Sequence, residues 1–265
     1  MGTKRGNDGS SQNRKIKKFK IATGFLDPGT SGIYATCTRR KEKAAISEMG
    51  ILLEEKIEEL YGESEVADSD VDEAGSIEDE VAKELAQLKK NKDDQDKKQL
   101  LKAIDLQCEC VVFFKTRKPV NPTTLVKAII DDFSNPESKV KRTRYIQKLT
   151  PITYSCNATK EQFQKLIDQV VEPAFKSDQS YKFAVEVTRR NFNTMERMDI
   201  INTVVSTVMK HGHHKVDLKN YDKVIMVECF KNNIGMSVLD NDYSKKHKKY
   251  NLQQIYEAKF KDDQK

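Results

Sequence analysis

Strands and helices alternate along most of this 265-residue chain, and that alternation predicts an α/β (α+β) fold with helices layered on a central sheet. Two observations carry the prediction. Short apolar runs of strand length, such as Val111-Val112-Phe113-Phe114, lie between segments whose apolar residues step by three and four. The helical segments also open on capping signals: Asn121-Pro122, Thr159-Lys160-Glu161-Gln162 and Asn193-Thr194-Met195-Glu196.

Taken in order, residues 1–20 hold seven Lys or Arg and one Asp, with Gly2, Gly6 and Gly9 interrupting any helix. This is the composition of a disordered basic arm. Its Arg14-Lys15-Ile16-Lys17-Lys18 run fits a nuclear import signal or a loose phosphate-binding tail; a solubilising tail is the plainer reading. Order is expected from about Phe25, where Pro28, Gly29 and Gly32 force a turn. Residues 33–37 read as a strand. Residues 41–60 read as a helix with Ile46, Met49, Leu53, Ile57 and Leu60 on its inner face.

Residues 62–80 then carry nine acidic and no basic residues, too little apolar surface to fold alone. Ser76-Ile77-Glu78-Asp79 resembles a capping box and predicts an exposed polar helix to about residue 90. Ser69 and Ser76 stand before acidic residues, a context acidophilic kinases favour. The whole acidic insertion is read as 62–103.

Residues 109–115 read as a strand buried on both faces. The helix at 122–133 turns Leu125, Val126, Ile129, Ile130 and Phe133 inward and ends at Asn135-Pro136. A basic stretch follows at 139–148, then a strand at 152–156. The next helix buries Phe163, Leu166, Ile167 and Val170, with Pro173 expected to stop it. Residues 181–188 alternate, with Phe183, Val185 and Val187 on one face and Lys182, Glu186 and Thr188 on the other. A helix through Met198, Ile201, Val205 and Val208 ends at Gly212. Residues 224–230 read as a central strand, and Asn232-Asn233 turns it into a hairpin with 234–239.

The net charge of +6 hides a split. Residues 62–99 hold 13 acidic and 6 basic residues, which leaves a surplus of +13 on the remainder. A basic body with an acidic arm points to a polyanionic partner, with nucleic acid ahead of an anionic membrane surface. No apolar run approaches the ~18 residues a membrane span needs, and the N-terminus lacks a signal-peptide core. Five scattered cysteines read as reduced thiols. The expectation is an intracellular protein.

Motifs for catalysis are missing. There is no Gly-rich phosphate loop, no Gly-x-Ser-x-Gly elbow and no deaminase signature. His211-Gly212-His213-His214 lacks nearby cysteines or a carboxylate cluster to complete a metal shell. Cys108-Glu109-Cys110 has one intervening residue rather than the two of a zinc knuckle, and reads as a strand with both thiols packed on one face.

Basic residues gather at strand ends instead. The clusters are Arg39 and Arg40; Lys115 and Arg117; Lys141, Arg142, Arg144 and Lys148; and Arg189, Arg190 and Asn191. Such residues are expected to converge on one edge of a sheet, where Arg pairs with phosphates and Asn bonds sugars or base edges. A solvated charged rim is the plainer alternative.

Two stretches carry a resemblance. One is Val187-Thr188-Arg189-Arg190-Asn191-Phe192, followed by a helix and by Val224-Ile225-Met226-Val227-Glu228; with Leu149 to Cys156 it resembles a THUMP domain over about 141–243. The other, from Gly24 to Cys37 together with Lys249-Tyr250-Asn251-Leu252-Gln253, is similar to the eukaryotic tRNA acetyltransferase adaptors. The resemblance implies a ferredoxin-like domain at 21–140, the THUMP domain at 141–243 and a basic tail at 244–265. It implies a non-catalytic adaptor that binds leucine and serine tRNAs by the acceptor stem and 3′ end. The chain would present them to an RNA cytidine acetyltransferase that makes N4-acetylcytidine in the D arm. Acetyl-CoA and ATP would then belong to that enzyme and no cofactor to this chain, with residence in the nucleus or nucleolus and a cytoplasmic pool. The 22 or so residues after 243 are too few for a catalytic domain, which needs roughly 100. Two alternatives stand beside this one. An RNA-modifying enzyme acting alone would rely on Glu186 or Glu228 with a nearby Lys. A ribosome-assembly factor would bind rRNA.

Overall fold

The computed structural model describes residues 21–24, 26–62, 100–138, 140–176 and 179–262. The predicted basic arm, the helix expected at 76–90, Ser69, Ser76 and Lys139 lie outside them.

Two five-stranded sheets form the frame. The first is built from β1 (Ile21–Thr23), β2 (Ser31–Cys37), β3 (Leu101–Asp105), β4 (Val111–Thr116) and β5 (Ile146–Ile152), in the order β1-β3-β4-β2-β5. Only β1 and β3 run parallel; the other neighbours are antiparallel. The helices α1 (Glu42–Tyr61) and α2 (Pro122–Ser134) cover one face. Asn121 caps α2 as expected, its side chain accepting from the Thr123 and Thr124 N–H groups, with Pro122 at the first position. Ile33, Ala35, Val112, Phe114 and Leu149 meet Met49, Leu53, Leu125, Ile129 and Ile130 in this layer. Each of these side chains other than Ala35 contributes on the order of 1.5–3 kcal/mol by leaving water.

The second sheet holds β6 (Tyr154–Asn157), β7 (Lys182–Arg190), β8 (Lys215–Val216), β9 (Lys223–Phe230) and β10 (Asn233–Asp240), in the order β6-β10-β9-β7-β8. Phe183, Val187, Ile225, Val227, Cys229 and Ile234 bury one face under α3 (Lys160–Phe175) and α4 (Arg197–Val208). The β9–β10 hairpin turns at Lys231-Asn232, with Lys231 at φ 51°. The free face of each sheet meets the other across a third cluster of Leu26, Tyr34, Leu106, Val111, Phe113, Ile152 and Phe230. Gly32 is required there, because a Cβ would collide with the Phe114 carbonyl and the Phe113 ring. Among the described residues no helix is long and apolar enough to cross a membrane.

Several local expectations are corrected. β3 begins at Leu101, inside the range read as insertion, because Leu101 and Ala103 are buried against β4. The strand read at 152–156 is two strands, and the chain changes sheets at Thr153, whose N–H donates to the Met236 carbonyl. Pro173 does not stop α3; the helix runs on to Phe175, which is fully buried and pins its last turn. α4 starts at Arg197, later than the capping pattern suggests, because Phe192 is buried and its carbonyl is held by Arg189. The inner stripe of α4 is therefore Ile200, Val204, Thr207 and Val208, and Met198 is 60% exposed. Cys108 and Cys110 lie on the turn between β3 and β4, not on a strand.

Residues 244–262 of the region read as a tail are folded. α5 (Asp242–Lys245), a turn at Lys248–Tyr250 and α6 (Leu252–Asp262) bring the chain back onto β5 and α2. Tyr243, Tyr250, Leu252 and Ile255 are buried, and the two tyrosines pack edge to face at 5.0 Å. Few apolar residues spaced among lysines leave a weak periodic signal, which is why the pattern missed it. Lys248, Lys249 and Tyr250 all have left-handed φ, at a cost of roughly 1–2 kcal/mol each. Burial of Tyr250 and the Lys249–Glu186 pair at 2.5 Å offset that strain.

Candidate nucleic-acid interface

The strand-end clusters do not all converge, and sheet register explains why. β2 and β4 are antiparallel, with Ser31 opposite Thr116 and Thr36 opposite Val111. Arg39 and Arg40 leave the C-terminal end of β2, so they sit at one edge of the sheet. Lys115 and Arg117 close β4 and sit at the opposite edge, where the Arg117 N–H donates to the Leu100 carbonyl. Lys141 and Arg142 also turn away: Lys141 donates to Gln253 of α6 at 2.7 Å, and Arg142 pairs with Glu55 of α1.

The remaining seven residues share one end of the paired sheets. Glu48 of α1 accepts the backbone N–H groups of Arg144, Tyr145 and Ile146, which fixes the entry to β5. Arg144 then stacks at 5.4 Å from the Tyr145 ring. The Thr38 N–H donates to the Tyr145 carbonyl and places Arg39 and Arg40 beside it. Arg39 pairs with Glu109 at 3.0 Å; both side chains are exposed, so the pair contributes little. Arg40 has φ 62° and lies with Lys43 along a cleft of about 330 Å³ that also carries Glu42, Asp105 and Glu109, so the cleft itself is no phosphate pocket and the basic surface lies beside it.

Parallel pairing of β7 with β9 sets Arg189 opposite Cys229 and Arg190 opposite Phe230, at the same end. Period-two alternation sends the two arginines to opposite faces. Arg189 joins Glu196 at 3.2 Å and the Phe192 carbonyl at 3.0 Å, near the start of α4. Arg190 enters the seam between the sheets and meets Glu228 at 2.5 Å. Asn191 follows, exposed, with φ 50°.

Lys148 sits in β5 opposite Thr36 and faces the same seam. Burial holds its ammonium below the usual lysine value, against the pull of Glu228 and Glu186. It lies 5.8 Å from the Tyr243 ring. Tyr34, 3% exposed, lies within electrostatic range of Glu228 and Arg190. Its hydroxyl has no hydrogen-bond partner among the described residues, and burial pushes its pKa upward.

Three participants are not assigned to this interface by sequence reasoning, which weighs Glu228 only as a catalytic carboxylate. Lys231, at the hairpin tip, donates to the Leu106 carbonyl at 3.2 Å and joins the two sheets. With Leu26, Asn157, Asn232 and Asn233 it lines a cavity of about 160 Å³. Glu228 and Tyr34 are the others. The signals were a cation at a two-residue hairpin turn and one carboxylate inside an otherwise uncharged strand core.

The other candidate chemistries find structural explanations. His214 is 2% exposed; its Nδ1 accepts from the Tyr181 N–H at 3.2 Å and its ring stacks on Tyr181. Burial pushes the Cys37 and Cys229 thiols up to about 12 and Cys156 to about 11, and raises Cys108. Such thiols are poor nucleophiles. Another cleft, of about 360 Å³, lies between α2 and β10 and carries Asp131, Asp240 and Asp242 against Lys127; its sign does not suit a phosphate. The end holding Arg39, Arg40, Arg144, Lys148, Arg190, Asn191 and Lys231 does suit a phosphate backbone.

Residues 157–239 match the THUMP domain. The chain is 55% identical to tRNA acetyltransferase TAN1 of Saccharomyces cerevisiae, across 100% of this chain and 98% of that protein. An uncharacterized protein of Schizosaccharomyces pombe is 34% identical, over 90% of this chain and 80% of its own. Human THUMP domain-containing protein 1 is 30% identical over 88% of this chain and 66% of its own. The chain belongs to the THUMP-domain family that includes tRNA acetyltransferase TAN1 and THUMP domain-containing protein 1.

Proposed function

We propose that this chain is a tRNA-binding adaptor that presents leucine and serine tRNAs to an RNA cytidine acetyltransferase for N4-acetylcytidine formation in the D arm. The observation that carries the tRNA-acetylation part of the reading is identity at 55% along the whole chain with a protein named a tRNA acetyltransferase. The basic end of the paired sheets supports the RNA half of it. Arginines and lysines there are anchored on backbone held by sheet register, which suits a rigid helical partner such as a tRNA acceptor stem.

The side chains support a carrier rather than a catalyst. Glu186 accepts from the Tyr243 hydroxyl at 3.2 Å and from Lys249 at 2.5 Å. That bond holds the Lys249 ammonium above its ordinary value, so it keeps its proton at neutral pH. Glu228 is engaged by Arg190. Neither carboxylate is placed to take a proton from a substrate. Acetyl-CoA and ATP are assigned to the partner enzyme, and the pair to the nucleus or nucleolus with a cytoplasmic pool.

The test is acetylcytidine content. Pure chain incubated with leucine or serine tRNA, acetyl-CoA and ATP should form none. Adding an RNA cytidine acetyltransferase should form it, faster than that enzyme does alone. Product from the pure chain would overturn the adaptor reading in favour of an enzyme.

A further inference from the structure

Glu228 is 2% exposed, yet it is the one charged residue between Val224 and Phe230 of β9. Burying a carboxylate is costly, and an apolar side chain would serve the core better. Its position accounts for it. Parallel register sets Thr188 opposite Glu228 and Arg190 opposite Phe230, so all four face the seam. There the carboxylate accepts from Arg190 Nη1 at 2.5 Å, while the Arg190 side chain stays 23% exposed. The Arg190 carbonyl is fixed from the other side by the Lys231 N–H at 3.2 Å. The arginine is thus held at backbone and tip while its side chain stays partly exposed.

We infer that Glu228 is a positioning residue for RNA recognition: it aims Arg190 as a hydrogen-bonding reader and cancels its charge, so that Lys148 and Lys231 act as the phosphate-neutralising cations of the seam. This rests on the RNA-binding reading above. A guanidinium neutralised by a buried carboxylate releases few counterions, so it adds little to indiscriminate affinity. It still offers N–H donors in a fixed fork to a group at one position. The seam then discriminates among RNAs in a way that a bare arginine would not.

The experiment measures binding of leucine tRNA and of an unrelated RNA duplex across a salt series, by fluorescence anisotropy, for wild type, Glu228→Gln, Glu228→Asp and the double variant Arg190→Gln/Glu228→Gln. Freeing the arginine in Glu228→Gln should steepen the log-affinity against log-salt slope by about one unit. It should also narrow the preference for tRNA over duplex. Glu228→Asp keeps the charge and should keep the slope. The double variant leaves no unpaired buried charge, so it tests the inference even if Glu228→Gln fails to fold. It should bind tRNA about tenfold more weakly with an unchanged slope. An unchanged slope in folded Glu228→Gln, or a slope about one unit shallower in the double variant, would overturn the inference and make Arg190 an ordinary phosphate contact. Wild type that binds tRNA without salt dependence would instead overturn the RNA-binding reading itself.

Discussion

Replacing Lys148 with Met removes the ammonium in the seam while keeping an unbranched apolar stem against Tyr243. Two opposite effects follow. The folded protein loses a cation whose burial already lowers its proton affinity, so stability should hold or rise. Bound RNA loses a charge-assisted contact of about 1.5–3 kcal/mol, which corresponds to roughly 10- to 150-fold in affinity. The loss should depend on salt. A single phosphate contact gives a slope of about 0.9, so raising salt fourfold erodes it by about threefold to fourfold. Fluorescence anisotropy with tRNA from about 50 to 200 mM salt reads both quantities, and a urea titration reads stability. Weaker binding with an unaltered slope, or binding lost in step with stability, would refute the assignment of Lys148 to a phosphate.

Other consequences are as direct. Lys56 is 5% exposed and joins Glu59 of α1 at 2.6 Å to Asp132 of α2; burial lowers its proton affinity and the two carboxylate bonds more than restore it. The double change Glu59→Gln/Asp132→Asn strands the buried ammonium and should cost about 3–5 kcal/mol in urea unfolding, whereas Lys56→Met should cost far less. His247 is fully buried, 3.1 Å from Asp131 but outside hydrogen-bond geometry. Burial holds its imidazole below the ordinary value, against Asp131 and Asp242 and helped by Lys246 and Lys127. The unfolded chain gains that proton near pH ~6.5 and the folded chain only at lower pH, so the stability present above about 6.5 is lost as pH falls below it. His247→Gln should flatten that part of the urea-midpoint profile. Leu252→Ala, at a site 1% exposed, should cost about 2–5 kcal/mol and show that α6 is structural.

The layered α/β class was legible because burial imposes periodicity. β4 and β9 read as apolar runs, and α2 and α3 as stripes behind true N-caps. Where long-range packing set the outcome, local pattern failed. Phe192 moved the start of α4, and burial of Phe175 carried α3 past Pro173. The fold of residues 242–262 depends on Tyr243, Tyr250 and Leu252 meeting the first sheet, a contact no local window contains. For the site, charge clusters were visible but their convergence was not. Strand direction decides which end a residue reaches, and antiparallel β2 and β4 sent Arg39 and Lys115 apart. Sequence reasoning weighs Glu228 only as a catalytic carboxylate and Tyr34 only as part of a strand, and register places both in the seam.

The most direct test is ultraviolet cross-linking of leucine tRNA to the wild-type chain, with the cross-linked peptides identified by mass spectrometry. Cross-links should concentrate on the peptides holding Arg39–Arg40, Lys148, Arg190–Asn191 and Lys231, which share one end of the paired sheets. Cross-links confined to Lys115 and Arg117 at the opposite edge, or spread evenly over every basic cluster, would contradict this account.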